Sequence, residues 1–234
     1  MRRFILTLGL CLLGTTSQAE QIIYDLTIRG FKVAELVLNA TSDARRYTAF
    51  GTINNTGLTR VVRKLSYRGT AQGRLTRNRL IPAAYQEVAN TDNFDTTVRM
   101  TFRNGVPRID EYVSERPRTP DAPTPASQKG ALDPLSAIFG LLRDIPASDA
   151  CKYDVQIYDG ARQSRLFMVP GDTNTGLPTC RGAYVRQKGY TPEEIERHTQ
   201  FNLQLSYRDL GNGTLAAENI EFDTIYGTAR VIRR

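Results

Sequence analysis

Apolar and polar residues alternate with a period of two along most of this chain, and tight-turn dipeptides separate the alternating runs. Tyr24, Leu26 and Ile28 share one face of a first run, Gly30 breaks it, and a second run extends from Phe31 to Asn39. Tyr47, Ala49, Gly51 and Ile53 line one side of the next. Val98, Met100 and Phe102 lead into Asn104-Gly105, and Val155 and Ile157 lead into Asp159-Gly160, with Leu166 and Met168 following. Leu203, Leu205 and Tyr207 lead into Asn212-Gly213, after which come Ile220, Phe222, Ile225, Ala229 and Val231. A period of two puts residues i and i+2 on the same face of a strand. Asn-Gly and Asp-Gly supply the positive φ that two-residue hairpin turns demand. The pattern therefore predicts a mainly β, antiparallel protein.

Two kinds of segment interrupt the alternation. Ser114 to Gly130 holds Pro117, Pro120, Pro123 and Pro125 among small and polar residues, which predicts an exposed Pro-rich loop at 114–130. The β pattern resumes after it unchanged, so residues 20–234 are expected to form one domain. Directly beyond the loop, Asp133 suits a helix N-cap and Pro134 the first helical position. Leu135, Ile138, Phe139 and Leu142 then repeat at i, i+3, i+4 and i+7, predicting a short amphipathic helix with Arg143 near its negative end. Thr191-Pro192-Glu193-Glu194 reads as a capping box before Ile195. Leu58, Val61, Val62 and Leu65 also have helical spacing, in a stretch whose β-branched content equally suits a strand.

The N-terminus carries an address. Arg2 and Arg3 precede an apolar run from Phe4 to Leu13, and Ser17 and Ala19 form a small-x-small site before Glu20. That is the layout of a secretory signal peptide over residues 1–19, cleaved after Ala19. A run of about ten residues is too short for a membrane span, which needs about 20. Removal of Arg2 and Arg3 lowers the formal net charge from +7 to +5. It also removes Cys11, leaving Cys151 and Cys180 as an even pair in an exported chain, for which a disulfide is expected.

In their order along the chain these features resemble an exported bacterial family catalogued as domain of unknown function 3108. The matching pieces are the strand, glycine and return strand of Tyr24–Val37, then Thr56-Gly57-Leu58, then Leu80-Ile81-Pro82 with Tyr85. They continue with Asp133-Pro134-Leu135-Ser136-Ala137 and its helix to Arg143, and with Val155–Arg162 around its Asp-Gly turn. The resemblance implies a periplasmic protein built on a curled or spiral sheet. It implies no established activity and no catalytic residues. Joined to the residue pattern, it gives a single curled antiparallel sheet (an open barrel or β-spiral) with one short helix packed on or in it.

Reactive groups are few. His198 is the only histidine, and with both remaining cysteines expected to be oxidised no zinc centre is foreseen. No nucleophile elbow, phosphate loop or zinc-protease helix is present, and no cofactor is implied. Adjacent acids at Asp110-Glu111 and Glu193-Glu194 leave glycan or lipid hydrolysis as one reading. Charge is more informative. No acidic residue lies between Asp43 and Glu87, while Arg45, Arg46, Arg60, Arg63, Lys64, Arg68, Arg74, Arg77 and Arg79 all do. Either these are the solvated side of alternating strands, or Arg60, Arg63, Lys64, Arg68, Arg74, Arg77 and Arg79 form a patch for an anionic lipid or glycan and touch the membrane peripherally. Nucleic acid is not expected, because no aromatic stacking pattern accompanies the cations.

The helix likewise has two readings: Leu135, Ile138, Phe139 and Leu142 are ordinary core, or a lid over an apolar cavity. The expectation is a non-catalytic cell-envelope protein holding an envelope lipid or other anionic amphiphile. A protein-binding module supporting envelope integrity and a hydrolase stand as alternatives.

Overall fold

The structure, a computed structural model, describes residues 18–43, 45–56, 65–76, 79–91, 94–116, 118–171, 176–224 and 227–234. The expected signal segment lies outside them, except that the first strand begins at Gln18. The Leu58–Leu65 stretch also lies outside, apart from Leu65, which opens a strand.

Seven strands come first: β1 (Gln18–Ile28), β2 (Phe31–Ser42), β3 (Arg46–Asn55), β4 (Leu65–Thr76), β5 (Arg79–Thr91), β6 (Asp95–Arg103) and β7 (Val106–Ser114). A long connection follows, containing helix α1 (Pro134–Leu142) and the two-residue β8 (Ile145–Pro146). Then come β9 (Tyr153–Tyr158), β10 (Gln163–Pro170), β11 (Thr179–Lys188), helix α2 (Pro192–Arg197), β12 (Gln200–Gly211), β13 (Thr214–Thr224) and β14 (Gly227–Arg233). All pair antiparallel in one sheet, ordered β7-β6-β5-β4-β3-β2-β1-β14-β13-β12-β11-β10-β9, with β8 beside β13. Two meanders thus meet where β1 pairs β14, with Tyr24 opposite Arg233 and Ile28 opposite Ala229.

The sheet does not close by strand pairing, yet its two edges meet around one segment. Gly130 donates its backbone N–H to Gly105 O at the start of β7. Leu132 lies against β9, taking the Tyr158 N–H and giving its own to Gln156 O. Arg118 donates to Gly160 O at 2.9 Å, and Gly160 lies against Tyr112 of β7. The Pro-rich connection is therefore a seam between the edges, and its exposure is uneven: Pro123 and Gln128 are buried. Leu132 thereby pairs part of the β9 edge, one of the backbone rows that invite aggregation when left unpaired.

The turns explain much of the register. Asn104-Gly105 and Asn212-Gly213 both have paired positive φ (52° and 75°, 52° and 71°), as a type I′ turn requires. Arg29-Gly30 does the same at 50° and 82°, a turn made without the usual Asn or Asp. Asp159-Gly160 differs from its sequence reading. It opens a four-residue loop between β9 and β10, in which Asp159 Oδ1 accepts the backbone N–H groups of Ala161 and Arg162.

The core fills the inside of the curl. Tyr24, Leu38, Tyr47, Ala71, Tyr85 and Met100 point inward, all nearly inaccessible. Helix α1 runs through this interior and is buried nearly all round, as a helix apolar on every side must be. Asp133 caps it, accepting the Ser136 N–H at 2.8 Å, with Pro134 in the first turn. Leu135 seats on Gly51, where even a Cβ would come within 2.7 Å of its side chain, and Phe139 stacks on Tyr47 at 5.5 Å. Burying such side chains stabilises the fold by about 1.5–3 kcal/mol each. Tyr153 donates to Ala137 O and Tyr24 to Ala217 O, so buried hydroxyls find partners around the helix. Cys151 and Cys180 form the expected disulfide, 2.00 Å between sulfurs and 5.2 Å between Cα atoms, tying the approach to β9 onto β11.

Candidate binding cleft

One face of α1 is not packed against sheet. Ile138 and Leu141, half-buried, form the floor of an apolar cleft of about 410 Å³. The first meander contributes Leu26, Leu36 and Ile53 to its walls, and the second contributes Leu203, Phe222 and Val231. Period-two alternation accounts for this lining. Leu203 shares the inner face of β12 with buried Leu205, and Leu26 shares that of β1 with buried Tyr24. The size falls within the range of small-molecule sites, and the lining is almost entirely hydrocarbon.

The cleft continues toward β9 and β10. Ile138, Leu166 and Tyr184 also line an adjoining hollow of about 300 Å³, whose far side is Asp159, Arg162 and Ser164. Here the chemistry changes. Ser164 Oγ lies 2.7 Å from the Tyr184 hydroxyl and 2.6 Å from that of Tyr190, and the two tyrosine hydroxyls are 2.9 Å apart. Arg116, Arg162 and Arg186 place their guanidinium carbons 5.8, 5.9 and 5.2 Å from the Tyr190 ring centre. Arg116 is paired with Glu194, and Arg186 donates to the carbonyls of Glu194 and His198.

A second polar group lies on the opposite side of α1. Tyr47 donates to Ser136 Oγ at 2.7 Å, and Ser136 donates to Asp133 at 2.6 Å. Burial pushes the Asp133 carboxyl up to about 6, against the Ser136 hydrogen bonds that pull it down. On β5, Tyr85 donates to Glu87, with the Tyr67 hydroxyl 3.4 Å from that of Tyr85. Burial raises Glu87 to about 7; the Tyr85 bond lowers it, and the charges of Asp159 and Asp133 raise it further. These carboxyls are enclosed among core tyrosines and helix backbone, which suits a structural role.

The residues singled out in the sequence fall in several places. Arg68 and Arg74 project from the outer face of β4 and Arg79 begins β5, all exposed. Arg74 lies six positions along the strand from Arg68, a span of about 20 Å. They face away from the cleft, whereas Arg60, Arg63, Lys64 and Arg77 lie outside the described residues. Of the proposed lid, Leu135 and Phe139 are core and Ile138 and Leu142 border the cleft. Glu193 pairs with Arg197 and Glu194 with Arg116, so the two acids do not converge on one point. His198 packs edge-on against Phe201 at 5.3 Å. Among the described residues no group of three His, Cys, Asp or Glu is placed to hold a metal ion.

Arg162 was missed by sequence reasoning. A signal was present: Leu166 and Met168 mark the inner face of β10, and the same period carried back reaches Ser164 and Arg162.

Residues 23–174 match the family model described as protein of unknown function (DUF3108). The matched stretch includes β2–β10 and the whole seam, and stops before β11. A crystal structure of a beta-barrel-like protein of domain of unknown function DUF1849 from Brucella abortus is similar at a TM-score of 0.49 and 11% identity. That similarity covers 92% of this chain and 95% of that one. No curated protein matches the chain.

Proposed function

The chain belongs to the family described as protein of unknown function (DUF3108), and we propose that it is an exported, non-catalytic protein of the cell envelope that holds the hydrocarbon part of an envelope lipid or related amphiphile. The observation that carries this reading is the open, hydrocarbon-lined cleft between α1 and the two meanders. An apolar surface of that kind, left wet, forgoes about 25 cal/mol for every Å² that a ligand would cover. Export and a periplasmic site rest on the N-terminal signal layout. The disulfide accords with an oxidising compartment. The outer-face arginines of β4 would then be a separate surface for peripheral contact with anionic membrane. Part of the β9 edge is occupied by the seam, which argues against strand addition by a partner protein there.

The neutral apolar dye N-phenylnaphthylamine tests the cleft directly. Fluorescence enhancement is expected with the wild-type protein. Leu203→Asp, which puts a carboxylate on the cleft wall, is expected to weaken it by roughly tenfold or more. Thr48→Asp, on the outer face of β3, should leave it unchanged. Equal binding by all three proteins would remove the cleft as the site.

A further inference from the structure

Arg162 is 4% exposed, yet two of its guanidinium nitrogens, Nε and Nη2, have no hydrogen-bond partner. Its remaining contacts are weak. Nη1 reaches the Tyr112 hydroxyl only at 3.5 Å, and Asp159 Oδ2 lies 3.9 Å away, beyond hydrogen-bond reach. Asp159 is also committed elsewhere, its Oδ1 holding two backbone N–H groups of the turn. A buried cation with unpartnered donors is costly unless something compensates it, and native proteins rarely leave such groups without a partner.

The surroundings indicate what the compensation is. Arg162 lines the hollow that continues from the apolar cleft. Around Tyr190 three guanidinium groups, those of Arg116, Arg162 and Arg186, stand against two carboxylates, Asp159 and Glu194. Arg116 is paired with Glu194 and Arg186 donates from Nη1 to two backbone carbonyls, whereas Arg162 keeps two buried nitrogens with no partner. Ser164 and Tyr184 bring hydroxyls to the same wall.

We infer that the hollow at Arg162 is an anionic head-group subsite, in which the unpartnered Nε and Nη2 donors receive a carboxylate or phosphate oxyanion whose hydrocarbon chain lies in the cleft. Two donors on one planar fork match the two oxygens of such a group. The inference rests on the cleft being a hydrocarbon site and adds the charge and place of the head.

Three ligands with the same chain separate the possibilities: dodecanoate, dodecyl phosphate and uncharged dodecanol, each titrated as a competitor of N-phenylnaphthylamine. The wild-type protein is expected to prefer the anions over dodecanol by roughly tenfold or more. A larger preference for dodecyl phosphate assigns a phospholipid-type head, and a larger one for dodecanoate a free fatty acid. Arg162→Gln should erase the preference while leaving dodecanol affinity unchanged, which also shows that the variant folds. Arg162→Lys, which keeps the charge without the fork, should retain part of it.

Equal wild-type affinities for the three ligands overturn the subsite and leave the cleft standing, and that comparison needs no variant. A preference that survives Arg162→Gln overturns it as well. Failure of dye and dodecanol alike to bind overturns the cleft reading, and the subsite with it.

Discussion

At the scale of single residues, the interior of this protein is unusual in the ionisable groups it encloses. Glu87 is held among Tyr85, Tyr67 and the more distant charges of Asp159 and Asp133. Its carboxyl, near 7 in the fold against 4.5 when exposed, binds its proton more tightly folded than unfolded. The unfolded chain therefore releases that proton first as pH rises, and stability falls with pH between about 4.5 and 7. A tenfold difference in proton affinity between folded and unfolded chain is worth about 1.4 kcal/mol, so the loss is at most a few kcal/mol. Urea unfolding at pH 5 and pH 8 is expected to show the wild type less stable at pH 8, and Glu87→Gln to flatten the difference. An unchanged difference in the variant would place the cause elsewhere, with Asp133 the next buried carboxyl to test. Neither Glu87 nor Arg162 stood out in the sequence. One charged residue at the inner phase of a strand looks like any solvated one until the neighbouring strands are in place.

At the scale of elements, α1 decides how the curl is filled. It is nine residues long, about 14 Å, and touches both meanders. Its Gly140 faces Tyr153 and Leu80 so closely that a Cβ would lie 2.4 Å from the Tyr153 hydroxyl. Alanine is the better helix former by about 1 kcal/mol. The clash, however, falls on a Tyr153 hydroxyl that is tied to Ala137 O, so moving it would break that hydrogen bond. Gly140→Ala is therefore expected to lower stability by about 1–3 kcal/mol in urea unfolding; a gain would mean that the helix is loosely seated. The helix, its Asp133 cap and the capping box of α2 were legible because each is written within a few consecutive residues. So were the two Asn-Gly turns. Arg29-Gly30 was recognised only as a break, since arginine seldom takes positive φ. The Asp159-Gly160 loop was misread because the Asp side chain, not backbone geometry alone, organises it.

At the scale of the molecule, the disulfide and the seam act on the same edge. Cys151 sits just before β9, the edge strand that opens the second meander, and Cys180 lies two strands inward on β11. Closing a loop of about 30 residues stabilises by roughly 3–4 kcal/mol. The double variant Cys151→Ser, Cys180→Ser is expected to lose about that much. Hydrogen exchange should rise first in β9 and β10, while β2–β6 keep their protection. Uniform loss of protection would mean that the staple serves the whole fold rather than one edge. The curl was expected from the family resemblance, whereas its closure by the Pro-rich connection was not legible. Periodicity reports which face a residue takes, not which distant edge a loop returns to cover.

The strand order has a consequence of its own. Among the described strands, only the passage from β7 to β9 joins strands that are not neighbours on the main path of the sheet. At the opposite side of the curl, the start of β1 and the end of β14 lie together, Arg233 reaching Glu20 at 2.8 Å. If those two ends were spliced and the chain opened at the seam, sequence and space would follow the same order from β9 through β14 and β1 to β7. The molecule is, in this sense, a single zigzag ribbon bent into a ring, and the natural chain enters the ring opposite its gap.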